Sequence, residues 1–253
     1  RNRLFTSTAI NSPSRKRRRK FLELTNHDWQ ALWLTIQLAT TTTVMLIMMS
    51  LPLAWKLAGW QSPFKILVET IITLPLILPP TVIGYYLLLA FSPHYFVGHW
   101  YSVLFNQQLA FSFEGILIAS LIYSLPFALK PLQAAFEQQG AALSESAALL
   151  GFSPWQTIIH ILLPNIRPAL LGAATLTFAH TVGEFGVILM IGGNISGETQ
   201  VASIALFDHV ENLEYGAANS LALILLLFSC TIVLLSQWLS QKQIRTITNA
   251  PPC

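Results

Sequence analysis

Charge is what this sequence has least of. Only 10% of its 253 residues are Asp, Glu, Lys or Arg, against roughly 25% in an ordinary soluble domain, while 53% are hydrophobic. A chain with so few charges cannot cover a water-facing surface, which excludes a soluble globule. Cysteine is scarce as well. Cys230 lies in an apolar run and Cys253 at the end, with no His or Cys at ligand spacing around either, so neither a disulfide scaffold nor a zinc site is expected. The first 25 positions hold no apolar stretch of about 7–15 residues followed by a small-residue cleavage site, so no cleavable signal peptide is read there. The phosphate-binding loop G-x-x-x-x-G-K-[ST] is missing too, and nucleotide hydrolysis of that kind is not expected of this chain.

Basic residues are absent from long stretches. Eight of the 14 fall in the first 20 positions (Arg1, Arg3, Arg15, Lys16, Arg17, Arg18, Arg19, Lys20), which contain no acid. The remainder carries six basic and eleven acidic residues. An arm of +8 therefore precedes a body of −5, and the overall +3 describes neither. A nucleic-acid interface is excluded, because the part of the chain that would have to fold is acidic and apolar. The arm, about residues 1–26, reads as a disordered charged tail.

What is present in abundance is apolar runs. A hydrocarbon core about 30 Å thick needs about 20 mostly apolar residues per helix. Candidate spans lie at about 32–53, 66–91, 115–132, 168–190 and 217–239, within a membrane domain of about 27–240. The third is the shortest: Glu114 and Lys130 enclose 15 uncharged residues, and snorkelling at the ends extends it. The fold class is therefore all-α, a polytopic membrane protein of about five spans. The loops 92–113 and 191–216 contain no Lys or Arg, whereas Lys56, Lys65, Lys130, Arg167, Lys242 and Arg245 all fall on the opposite side. The positive-inside rule makes that side cytoplasmic. The N-terminus is then outside and the tail 241–253 inside. The basic arm stands against this assignment; an unnatural extension or an arm overridden by later helices accounts for it better than a wrong span count, because the six-to-zero split is so clean.

The cytoplasmic segment of about 140–164 has its own grammar. Ser144 is placed to cap a short helix with Glu145 in its first turn. Gly151 suits the left-handed position past a helix end. Ser153 and Pro154 suit the start of a second helix, which Pro164 ends. Ala147, Ala148, Leu149 and Leu150 give the first helix a small apolar face, of the kind that enters a groove on a partner.

At these residues the chain resembles a known family. Glu145, Ser146, Ala147, Gly151, Ile161, Leu163 and Pro164 are similar to the loop of ABC importer permeases, E-A-A, three residues, G, nine residues, I-x-L-P, with Ser146 in place of the first alanine. Together with LPLILPPTVIGYYLLL and FAHTVGEFGVILMIGGNISGET, it looks closest to the molybdate permeases, over about residues 24–240. The resemblance implies a multi-pass inner-membrane subunit without enzymatic activity or bound cofactor. It further implies a pore made by a homodimer, two cytoplasmic ATP-binding subunits that use the ATP, an external substrate-binding protein, and surrounding lipid. Sulfate, thiosulfate and tungstate are the alternative cargoes.

Within the spans, Pro75, Pro79 and Pro80 remove backbone donors and are expected to kink or break the second span. Thr81 follows directly. Glu184 is the only carboxylate deep in the fourth span, inside Gly183-Glu184-Phe185-Gly186, where the glycines permit close packing or a break. Pro79, Pro80, Thr81, Gly183, Glu184 and Gly186 are the candidate pathway or gate residues. Direct binding of an anion by an ionised Glu184 is disfavoured by repulsion. His180 reads as a hydrogen-bonded packing residue, although its four-residue spacing from Glu184 leaves a small metal or proton site as an alternative. Glu69 is expected at the interface or in a local pair. Glu198, Asp208, Glu211 and Glu214 make the last outer loop acidic, suited either to a basic partner or to solvent. An intramembrane enzyme is the rival of another class; it lacks paired catalytic groups at membrane depth. A channel or secondary transporter working without an ATPase is the other.

Overall fold

The structure is a computed structural model that describes residues 24–153 and 156–248. The basic arm before residue 24, Pro154, Trp155 and the last five residues lie outside the described ones. Every regular element among the described residues is helical: α1 (Asn26–Ala58), α2 (Phe64–Ile77), α3 (Pro80–Phe91), α4 (Phe96–Phe105), α5 (Phe113–Leu149), α6 (Thr157–Asn165), α7 (Arg167–Gly183), α8 (Gly186–Gly192), α9 (Ala202–Glu211) and α10 (Tyr215–Thr248). Three of them, α1, α5 and α10, are long and apolar enough to cross a membrane alone. Five crossings result if each bent pair, α2 with α3 and α6 with α7, counts as one.

The helix boundaries follow from local chemistry. Thr25 opens α1 with a capping box. Its hydroxyl accepts from the Asp28 backbone N–H at 3.3 Å, and the Asp28 carboxylate accepts from the Thr25 N–H at 2.7 Å. Inside α1 the threonines bond back along the helix: Thr35 and Thr43 donate to the carbonyls four residues earlier at 2.7 Å. That satisfies their hydroxyls away from water. Ser112 caps α5, accepting from the Gly115 N–H at 3.1 Å, as serine commonly does at a helix start.

One sequence expectation changes. Ser144 does not cap a separate short helix: α5, the helix that carries the third span, runs unbroken for 37 residues, on to Leu149. Its second half, QAAFEQQGAALSESAAL, is rich in Ala, Gln, Glu and Leu, the best helix formers, so nothing in it forces a break. At 1.5 Å per residue α5 is about 55 Å long, nearly twice the hydrocarbon thickness. The second span, in contrast, is not one helix. Leu78 and Pro79 are extended (ψ 140 and 137), and α3 leaves α2 at 111°. Each of those residues precedes a proline, which pushes it out of the helical region; Pro80 then sits at the first turn of α3, where its missing N–H costs nothing. Pro75 lies inside α2 without breaking it. The fourth span is interrupted as well, because Glu184 (ψ 129) and Phe185 separate α7 from α8.

The core has two apolar regions. In one, Leu38, Ile116, Val187, Ile188 and Ile191 pack together; in the other, Leu57, Leu129, Phe136, Leu162 and Ile166 do. Between them lies a polar belt contributed by α5 and α7. The outer halves of the two broken spans meet closely: a Cβ on Gly84 of α3 would lie 2.8 Å from the Met190 Cβ of α8, and one on Gly186 would lie 3.0 Å from the Pro80 Cβ.

At the end of α9, His209 bridges two carboxylates, Asp28 at 2.7 Å and Glu214 at 2.9 Å. Partial burial pulls its pKa down, but the hydrogen bonds to Asp28 and Glu214 outweigh it, and the imidazole is held above its ordinary value of 6.5, as opposite charges in contact require. A raised folded-state pKa stabilises the protein fully below the unfolded value, and this stabilisation is lost as pH rises through the folded value. The stability difference between wild type and His209→Gln, measured by thermal unfolding in detergent, is therefore expected to be larger at pH about 5.5 than at about 8.5; an equal difference at both would contradict the ion pair. Packing of α3 on α8 makes a second prediction. Gly84→Val should cost about 1–3 kcal/mol through overpacking. Gly172→Ala, whose Cβ meets nothing within 4 Å, should be neutral or stabilising by up to about 1 kcal/mol. Equal melting temperatures for the two would contradict the contact.

Candidate functional site

The polar belt centres on the end of α7. Ser120, Tyr123 and Ser124 lie one turn apart on one face of α5, and that face meets His180, Thr181 and Glu184. Ser120 donates to Glu184 Oε2 at 3.0 Å. Ser124 Oγ is joined to His180 Nδ1 at 2.9 Å and to Thr181 Oγ1 at 3.2 Å. The His180 ring stacks on Phe127, with centroids 3.9 Å apart, and packs against Tyr123 at 5.1 Å. His180 and Glu184 thus engage different serines although four residues separate them, because Glu184 has already left the helix.

Glu184 is 5% exposed. Its Oε1 is buried and has no hydrogen-bond partner among the described residues. Its backbone carbonyl accepts from the Ser203 hydroxyl of α9 at 2.7 Å; the helix end frees it for that partner. A buried carboxyl group with one oxygen unsatisfied is costly, which makes Glu184 a candidate functional position.

Beside this carboxyl opens a cavity of about 580 Å³ lined by Pro80, Thr81, Tyr123, His180, Gly183, Glu184 and Gly186, among others. Five of the six residues singled out as pathway or gate candidates line it; Pro79 stands one residue back, at the bend itself. The reason is topological. Both broken spans break at the same level, and Gly186 abuts Pro80, so the start of α3 and the end of α7 face one space. A side chain at Gly183 would project into open room, since a Cβ there meets nothing within 4 Å.

At its C-terminal end, α5 closes with an αL cap. Gly151 takes φ +79, its N–H reaches the Ala148 carbonyl at 3.0 Å, and the Phe152 N–H reaches the Ala147 carbonyl at 3.0 Å. Together these form a Schellman motif. The cap leaves Leu149 and Leu150 exposed at 90% and 75%, while Ala147 points inward and is buried. Ser146 is exposed beside them; the Glu145 side chain lies outside the described ones. Ser153 and Gln156 then bond each other's backbone N–H groups at 3.4 and 2.9 Å and open the return in the manner of a capping box. The second helix begins as a π-helix over Thr157–Leu162 and runs one residue past Pro164. Ile161 and Leu163 are half-buried on it, and Leu163 packs on the second apolar region with Leu162 and Ile166.

Some functional partners carry no clear sequence signal. Ser120, Tyr123 and Ser124 are readable as polar positions at helical spacing on an apolar span, but Ser203, on α9, is not. Glu69 pairs locally, with Lys65 at 3.7 Å and with Gln133; Lys65 also meets Glu137 at 2.9 Å, which ties α2 to α5. In the acidic outer loop, Asp208 is taken up by Asn194 and Gln200 at 2.8–3.0 Å and Glu214 by His209, which leaves Glu198 and Glu211 exposed.

Known proteins share this architecture. The chain is 45% identical over 212 residues to the molybdenum transport system permease protein ModB of Azotobacter vinelandii, covering 84% of this chain and 94% of that one. It is 32% identical over 181 residues to the sulfate transport system permease protein CysT of Escherichia coli K12, covering 72% of this chain and 65% of CysT. Among solved structures, a bacterial alginate ABC transporter, in complex with an alginate pentasaccharide-bound periplasmic protein, matches with a TM-score of 0.72 at 21% identity, covering 90% of this chain and 82% of that one. At that identity the likeness speaks for the fold alone. Residues 46–245 match the family described as binding-protein-dependent transport system inner membrane component, and with the ModB similarity running almost end to end, the chain belongs to that family of multi-pass inner-membrane transport subunits.

Proposed function

We propose that this chain is the permease of an ABC importer that moves a tetrahedral oxyanion, molybdate, into the cell by alternating access. Two copies form the pore, and two cytoplasmic ATP-binding subunits drive it while this chain binds no nucleotide. An external binding protein delivers the anion. The N-terminus faces outside and the C-terminus the cytoplasm, as the distribution of Lys and Arg requires. The choice of molybdate follows the ModB relative; sulfate, thiosulfate and tungstate are the competing cargoes.

The observation that carries the reading is the cytoplasmic end of α5. A helix of about 55 Å in a hydrocarbon layer of about 30 Å must project by about 25 Å. Its projecting end presents Leu149 and Leu150 to solvent, an apolar knob that suits a groove on a partner protein and makes little sense in water. The same helix carries Ser120 to Glu184. A partner that pulls the tip therefore acts on the gate through one continuous rod.

In this mechanism Leu149 and Leu150 dock in the ATPase, Gly151 supplies the turn that exposes them, and Ile161, Leu163 and Pro164 anchor the returning segment. Thr81, Gly183 and Gly186 offer the anion a narrow passage past two broken helices, the arrangement in which backbone groups line a route through a membrane. Glu184 shapes and closes that passage rather than binding the anion, since a carboxylate repels it.

The test is uptake of labelled molybdate, with sulfate and tungstate as competitors, in cells carrying or lacking the chain. Molybdate uptake should depend on it. Loss of sulfate uptake with molybdate uptake intact would overturn the cargo, and loss of neither would overturn the permease reading. Gly151→Val places a β-branched residue in the left-handed region, at a cost of roughly 1–2 kcal/mol or more. It should leave the protein in the membrane while abolishing uptake and weakening co-purification of the ATPase; normal transport by this variant would remove Gly151 from the coupling role.

A further inference from the structure

The break at Glu184 is held from two sides, and one hold comes from the outer face. Ser120 of α5 grips the carboxylate, whereas Ser203 of α9 donates to the backbone carbonyl at 2.7 Å. That carbonyl lies past the last turn of α7, where a helical N–H would otherwise serve it, so the Ser203 hydroxyl replaces a lost backbone partner.

The helix α9 is itself strapped to α1 at both ends. At its start the Ala202 N–H donates to the Thr35 hydroxyl at 2.8 Å, and at its end His209 meets Asp28 at 2.7 Å. Residues 28 and 35 are seven positions apart, as are 202 and 209, so each separation spans about 10 Å of helix. The two helices therefore lie side by side and antiparallel over that length, with Ser203 at the deeper end and His209 at the outer one. At the outer end of α9, Val210 and Leu213 are 44% and 70% exposed, next to the exposed Glu211. A helix held this way passes a displacement on instead of absorbing it.

We infer that Ser203 is the positioning residue through which α9 sets the gate: a receptor seated over the outer end of α9 displaces the helix, the Ser203 hydroxyl moves with it, and the Glu184 carbonyl follows. Opening of the break in the fourth span thereby answers to receptor docking from outside, as it answers to the ATPase through α5 from inside. The inference rests on the importer reading above.

The experiment uses the assembled complex of this chain with its ATPase in proteoliposomes, with molybdate-loaded binding protein titrated against ATP hydrolysis. Ser203→Ala should lower the ratio of receptor-stimulated to basal hydrolysis by about fivefold, the order expected for one lost hydrogen bond. Basal hydrolysis and the half-stimulating receptor concentration should stay within about twofold, since docking itself is untouched. Ser203→Thr, which keeps the hydroxyl, should restore the ratio. Ser203→Cys, a weaker donor of similar size, should fall between them, and it replaces the alanine variant if that one does not assemble. A Ser203→Ala ratio equal to wild type overturns the inference, as does a Ser203→Thr complex as impaired as the alanine one, or a change confined to the half-stimulating concentration. A wild-type complex that the receptor does not stimulate at all overturns the importer reading instead, which keeps the two failures apart.

Discussion

A helix nearly twice as long as the membrane is thick is the constraint from which the rest of this structure follows. α5 is held as one helix by its own backbone hydrogen bonds, interrupted where Pro126 and Pro131 withhold a donor. Because it is continuous, its features cannot move independently. The Ser112 cap fixes its outer end, Ser120 and Ser124 meet the end of α7 at mid-depth, and Gln133 and Glu137 tie it to α2 near the inner side. Its C-terminal end carries Leu149 and Leu150, both exposed. In the proposed mechanism, work done on the tip reaches the polar belt along this one helix.

Against that rod stand two spans that do break, and their breaks are what create a site. A continuous helix in lipid hides its backbone; a broken one exposes carbonyls and N–H groups that must find partners. The structure supplies them sparingly. Pro79 and Pro80 remove donors at the first break, so fewer groups need partners there, and Ser203 takes up the Glu184 carbonyl at the second. Gly84 and Gly186 let α3 and α8 press together, which lines the two breaks up on one cavity. The Oε1 of Glu184 is left without a partner in this arrangement, and it sits beside the space through which the cargo is proposed to pass.

Much of this is legible in the sequence because it depends on residues with a single strong conformational preference. Gly151 takes the left-handed position beyond a helix end, and Leu78 and Pro79, each preceding a proline, leave the helix where that rule places a boundary. The gate candidates can be named from Pro-Pro-Thr and Gly-Glu-Phe-Gly because glycine, proline and an intramembrane acid all stand out locally. What stays hidden depends on length and on distant pairing. The charges Glu114 and Lys130 set the apparent limits of the third span, whereas helix propensity carries α5 far past Lys130, to Leu149. Ser144 resembles a cap only if a helix begins there, and none does. Ser203 carries no local signal at all: its importance comes from a carbonyl 19 positions away in sequence. The pairing of Pro80 with Gly186 is likewise a property of the packing, invisible along either segment.

The central claim is that the two breaks meet on one passage that opens alternately to each side. It is tested most directly by Gly183→Cys, in a chain otherwise freed of thiols by Cys230→Ser and Cys253→Ser, because a side chain at 183 points into the cavity without a clash. In proteoliposomes with the ATPase, a small membrane-impermeant thiol reagent applied on one side at a time should modify this cysteine from the cytoplasmic side in the nucleotide-free complex. Once ATP and the loaded binding protein hold the complex closed on the inside, modification should come from the outer side instead. Equal reactivity from both sides in every state, or none from either, would contradict the account.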